Sequence, residues 1–592
     1  MLPDSIRQYV RAALGELPLT ALIRGGTVLD VHTGTLIQVD VGIFNDRVVW
    51  VGKGERRLSP DAEVINASGK FVVPAFMDAH IHLESTLLTP PRLAEVLVPH
   101  GVTTVFADPH EVANVLGVEG VKALLSMAEG IPLRIFVQVP SRVPTAPGLE
   151  TSGAYLGPEE VGNLLSSEFS ASLGELNYQN LLTLKNEYLM KVASAINRRK
   201  VINGHLPNPP YDVLNAAAAG GIMDDHESLS ADEALLKLRL GIAVMVREGT
   251  SERNLRDLVV GLIKADLKDW RKVMFCTDDK HVTDIISEGH IDFNVREAIR
   301  LGLDPVKAYQ AATINIAQHF RVDDFLGAVS PLRKADILIL DDFREVKISA
   351  VLYEGKVVYG EGNTKFVSGD ITVPEIGLSS VRVKRPVRPE DLLIRIEGGE
   401  EALVRVMVVT PNQILVREGR EWVKVSRDGY LLSDVGRDVL HIAVVERHFA
   451  TGRVGKAFVK GFGLRRGAIA SSVAHDHHNV VAVGADPLSM ATAVEHLADI
   501  GGGFAATLGN DVIASLRLEF AGLMTSAPAE DVVEGLRRLN GSVREVLGCG
   551  LEAPFMQLEF ITLPTVPELG LTDLGLIDSR RYEKVGPVVK VR

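Results

Sequence analysis

Short apolar runs alternate with amphipathic helical patterns through the middle of the chain, from about residue 71 to residue 325. This alternation predicts strand–helix units, because a buried parallel strand is apolar on both faces and its crossover helix is apolar on one. We predict eight strands, over residues 71–76, 102–107, 133–139, 171–175, 201–204, 221–223, 242–246 and 272–276. Eight such units predict an α/β fold, a (β/α)8 barrel with its chemistry at the carboxyl ends of the strands. A doubly wound open sheet is the alternative, but no Gly-x-Gly-x-x-Gly pattern opens a first helix.

Strand-like runs separated by turn residues lie on both sides of this central segment, which we assign to 71–325. The first group lies within 1–70, after a short amphipathic helix, and the second lies within 326–385. Because both groups consist of short strand-like runs separated by turns, they predict one small β-sandwich built from both flanks. The rest of the chain, 386–592, mixes strand and helix patterns, and we expect it to form a separate α+β domain.

The composition is that of a globular protein with an excess of negative charge. The 592 residues are too many for one core, and 76 acidic against 63 basic residues give a net charge of −13. This balance argues against a nucleic-acid or anionic-membrane partner. The two cysteines, Cys276 and Cys549, provide no disulfide framework, which fits a reducing cytoplasm. No apolar run approaches membrane-spanning length, so we expect a soluble cytoplasmic protein.

Two histidines two residues apart, His80 and His82, follow the first predicted strand. Side chains alternate along an extended backbone, so both imidazoles project to the same side and can bind one ion together. Imidazole is the commonest protein ligand of catalytic divalent metals. A His-x-His pair also arises by chance, so this interpretation depends on ligands elsewhere in the chain.

Four further residues of metal-binding type stand at the ends of other predicted strands: Glu175, His205, His226 and Asp278. The carboxyl ends of barrel strands meet at one face, so all six side chains are expected to converge there. Six nitrogen and oxygen ligands suit two adjacent divalent ions, with Glu175 bridging them. Each residue alone has a structural interpretation, as a helix-start charge or a loop histidine, but the joint pattern favours a metal centre. Ligands without thiolate admit manganese, iron or zinc, and of these we expect manganese or iron, with zinc as an alternative.

Motifs spread over nearly the whole chain resemble those of the adenine deaminase family of the amidohydrolase superfamily. The matching stretches are His80–Ser85, Ala107–Asn114, Asp225–Glu227, Lys237–Gly241, Arg247–Gly249, Cys276–His281, Glu288–Asp292, Ala311–Asn315, Gly461–Gly463, Arg466–Ala470, His475–Asn479 and Leu563–Asp573. The resemblance implies hydrolytic deamination of adenine to hypoxanthine and ammonia, in purine salvage or adenine catabolism. It also implies that Glu175 replaces the carboxylated lysine of other superfamily members.

Deaminating a 6-aminopurine requires adding water at C6 and expelling ammonia. By the resemblance, a hydroxide bound to two divalent ions would attack C6, and Asp278 would orient it and accept its proton. A second acid must pass the proton to the ring nitrogen and the leaving amine, and we expect it among Glu227, His110 and Glu84. Structural alternatives are a carboxylate behind the metal ligands for Glu227 and a loop hydrogen-bond acceptor for Glu84. His110 has no such structural alternative, because helix capping does not account for a histidine at its position.

Two stretches depart from the family pattern near the expected base pocket, Leu176–Tyr178 and the proline-rich turn Leu206–Pro210. They leave the exact purine open, so a deaminase of another 6-substituted purine is one alternative. A cyclic-amide hydrolase of the same superfamily is a second. A catalytically silent metal-binding paralogue is a third, which the intact ligand set disfavours. We expect a small-molecule purine substrate and a homo-oligomer, a dimer or larger, although no pattern specifies its interface.

A second concentration of histidines lies at His475–Asn479, and His477 stands where the family more usually has serine. His475 and His477 repeat the two-residue spacing of a metal-binding pair. In the sequence the only complementary ligands are Glu446 and His448. A polar loop that closes over the barrel mouth or lines a subunit contact is therefore the favoured interpretation.

Overall fold

The computed structural model describes residues 3–366, 369, 371–410, 416–565 and 568–592. Its first elements are α1 (Pro3–Ala13), β1 (Leu19–Asp30), β2 (Thr35–Phe44), β3 (Arg47–Gly52), β4 (Leu58–Asn66) and β5 (Phe71–Pro74). Strand β1 pairs antiparallel with β2 and parallel with both β4 and β5. Helix α1 buries Ala12 against Leu19, Leu22 and Val49, which anchors the helix to this sheet.

Eight parallel strands follow and form the centre of the molecule. They are β6 (Phe76–Ile81), β7 (Val102–Ala107), β8 (Arg134–Val139), β9 (Ser170–Asn177), β10 (Val201–His205), β11 (Asp224–Asp225), β12 (Ala243–Arg247) and β13 (Val273–Cys276). Strands β6 to β10 pair in chain order, and so do β11 to β13. The Met223 amide donates to the Ile202 carbonyl at 3.0 Å and links the two groups. A parallel bridge between Ile81 and Asp278 brings the last strand back to the first, so the parallel sheet curls on itself.

Helices connect and cover the parallel strands. They are α2 (Pro90–Leu97), α3 (His110–Ser126), α4 (Pro158–Leu165), α5 (Tyr178–Leu182), α6 (Asn186–Asn197), α7 (Tyr211–Ala219), α8 (Ala231–Arg239), α9 (Leu255–Lys264), α10 (Val282–Glu288), α11 (Ile291–Arg300), α12 (Pro305–Ala311) and α13 (Ile314–His319). Strands β7, β12 and β13 are buried at every position because helices cover the outer face and apolar side chains fill the inner one. The predicted α/β class is confirmed. Within the described ranges, no helix combines the length and apolarity that crossing a bilayer requires.

Two of the predicted strands are displaced in the structure. The apolar run 71–76 divides at Ala75, whose amide donates to the Asp336 carbonyl of the flanking sheet, whereas the next amide, that of Phe76, donates to Gly101. Residues 71–74 therefore belong to the flanking sheet, and the first parallel strand begins at Phe76. The strand predicted at 221–223 begins at Asp224 instead, because the preceding turn extends through Gly221, whose φ is 97°.

The strands after the central segment return to the first sheet. They are β14 (Ile337–Asp342), β15 (Lys347–Tyr353), β16 (Lys356–Gly360) and β17 (Asn363–Thr364). Strand β14 pairs antiparallel with β5, which makes one nine-stranded sheet of the described strands from both flanks. The two flanks therefore share backbone hydrogen bonds, while the exact domain boundaries remain a prediction.

The C-terminal part contains a second large sheet with helices on it. Its elements are β18 (Glu401–Val409), β19 (Val416–Lys424), β20 (Leu440–Val445), β21 (Val454–Lys460), β22 (Ala468–Ser471), β23 (Val480–Gly484), α14 (Pro487–Ile500), β24 (Gly503–Leu508), β25 (Asp511–Arg517), α15 (Ala529–Glu545), α16 (Pro554–Phe560), β26 (Leu569–Thr572), β27 (Gly575–Asp578), β28 (Glu583–Lys584) and β29 (Val588–Val591). Helix α14 buries Met490, Val494 and Leu497 against the sheet. Burying these apolar side chains fixes the helix on the sheet face.

The C-terminal part contacts the loops that follow the parallel strands. Asp573 accepts hydrogen bonds from the amide and the hydroxyl of Thr151, at 2.9 and 2.6 Å. The Asn479 side-chain amide donates to the Thr151 carbonyl at 2.9 Å. The loop 475–479, between β22 and β23, is thereby held against the face of the molecule where the parallel strands end.

Candidate metal centre

Four buried side chains meet at the carboxyl ends of the first, fourth and eighth parallel strands: His80, His82, Glu175 and Asp278. His80 lies in β6 and His82 just beyond it, so both imidazoles point to the same side. The Nε2 atom of His82 lies 2.8 Å from Glu175 Oε1 and 3.1 Å from Asp278 Oδ1. The Nε2 atom of His80 lies 3.1 and 3.5 Å from the same two oxygens. The four ligand atoms therefore surround one point.

Hydrogen bonds on the far side of each ring fix the orientation of these two histidines. His80 Nδ1 donates to the Gln138 side-chain oxygen at 2.5 Å, and the Gln138 amide donates to the Ala79 carbonyl at 2.9 Å. His82 Nδ1 donates to the Asp108 carbonyl at 3.0 Å. With the proton held on Nδ1, the lone pair of each Nε2 atom faces the group.

Glu175 also belongs to a second group of potential ligands, with His205 and His226. Its Oε2 atom lies 3.5 Å from His205 Nδ1, and its Oε1 atom lies 4.0 Å from His226 Nε2. The rings of His80 and His226 stack with their centroids 4.2 Å apart, so the two groups are adjacent. All six side chains predicted from the strand ends thus come together, and they form two groups that share Glu175.

Two buried arginines border the centre, and sequence reasoning assigned neither of them to it. Arg142, in the loop after β8, hydrogen-bonds to Glu175 and lies 3.6 Å from Asp476 of the C-terminal part. Arg247 ends β12 and donates from one nitrogen to Glu227 at 2.9 Å and to Asp278 at 2.8 Å. Arg247 stands at a strand end, which is a signal that could have identified it. Arg142 lies in a loop and has no such signal.

The charges around the centre keep its carboxylates ionised. Burial alone would raise the pKa of Glu175, but the Arg142 charge holds that pKa well below its ordinary value. Burial is likewise outweighed at Asp278, whose pKa is held well below the usual range by positively charged neighbours and hydrogen-bond donors. Both side chains therefore present negative oxygens to any cation bound between them.

Glu227 contacts the second group directly. Its Oε1 atom lies 3.2 Å from His226 Nε2 and 3.4 Å from His205 Nδ1. Burial raises the pKa of Glu227, but the Arg247 charge lowers it well below the ordinary value. Glu227 is thus an ionised carboxylate within reach of the ligand atoms of His226 and Asp278.

The other two residues predicted to move protons lie beside the first group. The His110 ring centroid is 4.8 Å from that of His82, and its nitrogens lie 3.7 Å from Asp108 and 3.5 Å from Asp476. Glu84 accepts a hydrogen bond from the Val112 amide at 3.0 Å. Burial and the neighbouring charge of Glu111 raise the pKa of Glu84 to about 7. His110 therefore borders the metal centre, while the Glu84 side chain hydrogen-bonds to the start of α3.

The donor set of this centre fits divalent cations. It combines imidazole nitrogens with carboxylate oxygens, the ligands that zinc, iron and manganese share in proteins. Burial lowers the pKa of His205, which favours the neutral imidazole that a metal requires. The Nδ1 atom of His205 is buried and finds no hydrogen-bond partner in the described part of the chain, so its lone pair is available to a cation.

Comparison with known proteins identifies the family of this chain. The Amidohydrolase family profile matches residues 71–358, and the Adenine deaminase C-terminal domain profile matches residues 413–583. The chain is 46% identical to an adenine deaminase from Desulforamulus reducens over 586 residues, which cover 99% of both chains. The chain belongs to the adenine deaminase family. The family resemblance inferred from the motifs is therefore confirmed.

Other adenine deaminases match over the same extent. The protein from Methanothrix thermoacetophila is 42% identical and covers 98% of this chain and 99% of its own. The one from Moorella thermoacetica is 38% identical and covers 99% and 98%. The amidohydrolase family is metal-dependent, which agrees with the ligand groups around Glu175 in this member of the adenine deaminase family.

Proposed function

We propose that this protein hydrolyses adenine to hypoxanthine and ammonia. The observation that carries the proposal is the pair of ligand groups sharing Glu175, in a chain whose full-length relatives are named adenine deaminase. The predicted purine substrate agrees with this family. The amidohydrolase fold and the ligand set together support a hydrolytic reaction, in which a C–O bond forms at C6 and the exocyclic C–N bond breaks.

Two divalent cations are proposed as cofactors. His80, His82, Glu175 and Asp278 would hold one, and Glu175, His205 and His226 would hold the other. When bound, such ions lower the pKa of water so that a nucleophile is available near neutral pH. Manganese or iron is the proposed metal, with zinc as the alternative that the same ligand types admit.

Asp278 is the proposed general base. Its Oδ2 atom accepts a hydrogen bond from Arg247 at 2.8 Å, while Oδ1 faces His80 and His82. Since its pKa is held low, the carboxylate is ionised and can accept the proton of the attacking water. That proton must then reach the purine ring nitrogen and the departing amine, which leaves as ammonia.

Glu227 is the best supported of the three proposed proton carriers. It reaches the same group of ligand atoms as Asp278, and Arg247 joins the two carboxylates. His110, next to His82, and Glu84, with its raised pKa, are also proposed as proton carriers. Arg142, through its hydrogen bond to Glu175, is proposed to position the carboxylate that the two ligand groups share.

An ammonia assay on protein of known metal content tests the proposal. Metal-loaded protein would be incubated with adenine, a panel of 6-substituted purines, a hydantoin and a lactam. We expect ammonia and hypoxanthine from adenine, with activity rising in proportion to bound metal. Ring opening of the hydantoin or lactam without ammonia from any purine would instead establish a cyclic-amide hydrolase. Metal binding without turnover of any compound would indicate a silent paralogue.

The cellular setting of the enzyme is also a proposal. Adenine deamination would place it in purine salvage or adenine catabolism, and the composition supports a cytoplasmic location. We propose a homo-oligomer, a dimer or larger, and sedimentation velocity of the metal-loaded protein measures this directly. A single species with the 64.1 kDa mass of one chain would contradict the oligomer proposal.

A further inference from the structure

We propose that Glu111, His475 and His478 form an additional divalent-cation site between helix α3 and the C-terminal part of the molecule. One ligand atom from each residue lies within 4.8 Å of the other two, and all three side chains are buried. We call these three residues the seam cluster. It shares no residue with the two groups around Glu175, so a cation here would be additional to the catalytic ones.

His478 provides the first argument for a bound ion. Its side chain is fully buried, and neither ring nitrogen has a hydrogen-bond partner among the described residues. A neutral imidazole carries one N–H donor and one lone pair, and leaving both unpaired in a protein interior is unfavourable. A metal ion would use the lone pair of one nitrogen of this ring.

Unpaired carboxylate oxygens beside His475 provide the second argument. Glu111 Oε1 contacts His475 Nδ1, but Glu111 Oε2 and both Glu559 oxygens lack a hydrogen-bond partner within the described ranges. Glu559 Oε2 lies 3.9 Å from His475 Nε2, and His281 Nε2 lies 3.4 Å from the same oxygen. His475 and His281 are the nearby cationic partners of these carboxylates, and a bound ion would compensate the oxygens that they leave without a hydrogen bond.

The surrounding contacts hold the cluster in place without using its free atoms. The His475 ring stacks on Phe560 with centroids 4.4 Å apart and a 10° angle between planes. The His475 amide donates to the Glu559 carbonyl at 2.9 Å, and the His478 amide donates to the Ala474 carbonyl at 2.7 Å. Backbone and ring packing thus fix the two imidazoles, as a structural metal site requires.

The ligand chemistry points to a first-row transition ion of the zinc type. Two imidazoles and a carboxylate form a set that zinc binds tetrahedrally, with a fourth ligand from water or a further side chain. Such an ion would connect α3, which follows the second parallel strand, to the loop between β22 and β23. Its role would be to lock the C-terminal part onto the face that carries the metal centre.

His477 offers a matched control in the same loop. It is buried like its neighbours, but its Nδ1 accepts a hydrogen bond from the Asn479 amide at 3.0 Å and its Nε2 lies 3.2 Å from the Thr562 hydroxyl. Both of its nitrogens are therefore occupied within the protein. Replacing it, as in His477→Ser, should therefore leave metal content unchanged.

Metal counting on the full chain tests the proposal. Wild type, His478→Ala, Glu111→Gln and His477→Ser would be purified, loaded with Zn²⁺, desalted and analysed by elemental mass spectrometry. We expect the first two variants to hold one ion fewer per chain than wild type, and His477→Ser to match wild type. Equal metal content in all four proteins would overturn the site. Variants with unchanged metal content and weaker adenine binding would also overturn the site. They would indicate instead that the loop 475–479 contacts the substrate.

A crystal of wild-type protein keeps the proposal testable if a variant fails to fold. Anomalous scattering at the zinc edge should show a peak about 2.0–2.2 Å from a His478 nitrogen and a Glu111 oxygen. A map with peaks only at the Glu175 groups would refute the seam site and leave the deaminase proposal intact. Peaks at the seam cluster alone would support the seam site and contradict the proposed metal ions at the Glu175 groups.

Discussion

The Nη1 atom of Arg247 lies 2.8 Å from Oδ2 of Asp278, so the proposed base is held by a positive charge on the side away from the histidines. The neighbouring His226 and, after it, the Arg247 charge lower the pKa of Asp278, and the contact leaves its other oxygen facing the metal-binding group. One carboxylate can thus serve both as a ligand and as a proton acceptor, because its two oxygens have different partners.

Replacing Asp278 with asparagine should separate these two roles. The amide oxygen can still coordinate a cation, but it cannot accept a proton, so metal content should stay near that of wild type. Turnover should fall about 10²–10⁴-fold, the usual contribution of a general base. Elemental analysis and an ammonia assay on the same sample measure both quantities. Asp269→Asn, at an exposed acid, is the control, and equal turnover in all three proteins would refute the base role.

Asp476 should couple the C-terminal part to the metal centre. It lies 3.6 Å from Arg142, which hydrogen-bonds to Glu175, and 3.5 Å from His110. Asp476→Asn should therefore lower kcat roughly tenfold, on the order of 1.4 kcal/mol, by loosening Arg142. Steady-state kinetics with adenine measures this effect.

Asp573→Asn is the matched control for that experiment. Asp573 bonds to Thr151 at the same contact surface, and it makes no described contact with Arg142. Both variants should lose stability, but only Asp476→Asn should lose turnover. Parallel losses of turnover in the two variants would indicate that domain docking, rather than Arg142, limits the activity.

His441 should make the stability of the C-terminal part depend on pH. Burial lowers its pKa from 6.5 to about 4. Between these two pH values the imidazole is neutral in the folded protein and protonated in the unfolded chain. Its contribution is complete above pH 6.5 and is lost as the pH falls from 6.5 towards 4, up to about 3 kcal/mol. Urea unfolding should show wild type losing more stability between pH 7 and pH 5 than His441→Phe. Identical losses would contradict the assignment.

Phe106 should be a main support of the interior of the parallel sheet. Its ring stacks on Phe320 with centroids 3.9 Å apart and on Phe136 at 5.2 Å, and it is fully buried. Phe106→Ala should reduce the free energy of unfolding by about 3–5 kcal/mol, because it removes this contact and leaves a cavity. Chemical denaturation measures the change. Leu184→Ala, at a side chain that is 69% exposed, should have little effect, and equal losses would contradict the packing argument.

Local sequence patterns predicted the parallel strands and the convergence of six ligands because both depend on neighbouring residues. Alternation along β6 determines where His80 and His82 point, and parallel strands bring their carboxyl ends to one face. The same local reasoning failed at 71–76, where one continuous apolar run contains the point at which the chain leaves one sheet for another. Every residue of that run except the half-buried Phe71 is buried, so hydrophobicity does not mark the change.

Local sequence patterns could not predict the contacts between distant parts of the chain. Sequence reasoning considered Glu446 and His448 as co-ligands for the histidines of the 475–479 loop, whereas the structure groups Glu111 with His475 and His478. His448 does contact the loop, through a hydrogen bond to the His477 carbonyl at 3.0 Å. Glu446 instead accepts hydrogen bonds from the backbone of its own loop, including the Thr451 amide at 2.8 Å. In the sequence, Glu111 looks like an ordinary residue at the start of a helix. Only the packing of the C-terminal part onto α3 brings it beside the histidines of the 475–479 loop.

The pairing of β5 with β14 has a consequence for synthesis of the protein. Strand β5 leaves the ribosome long before β14, and the entire metal-binding segment is translated between them. Until β14 arrives, one edge of β5 has no strand partner and remains open to wrong pairing with other chains. The catalytic segment therefore has to fold while the sheet that anchors it is incomplete, and joining of the two strands ties its beginning to its end.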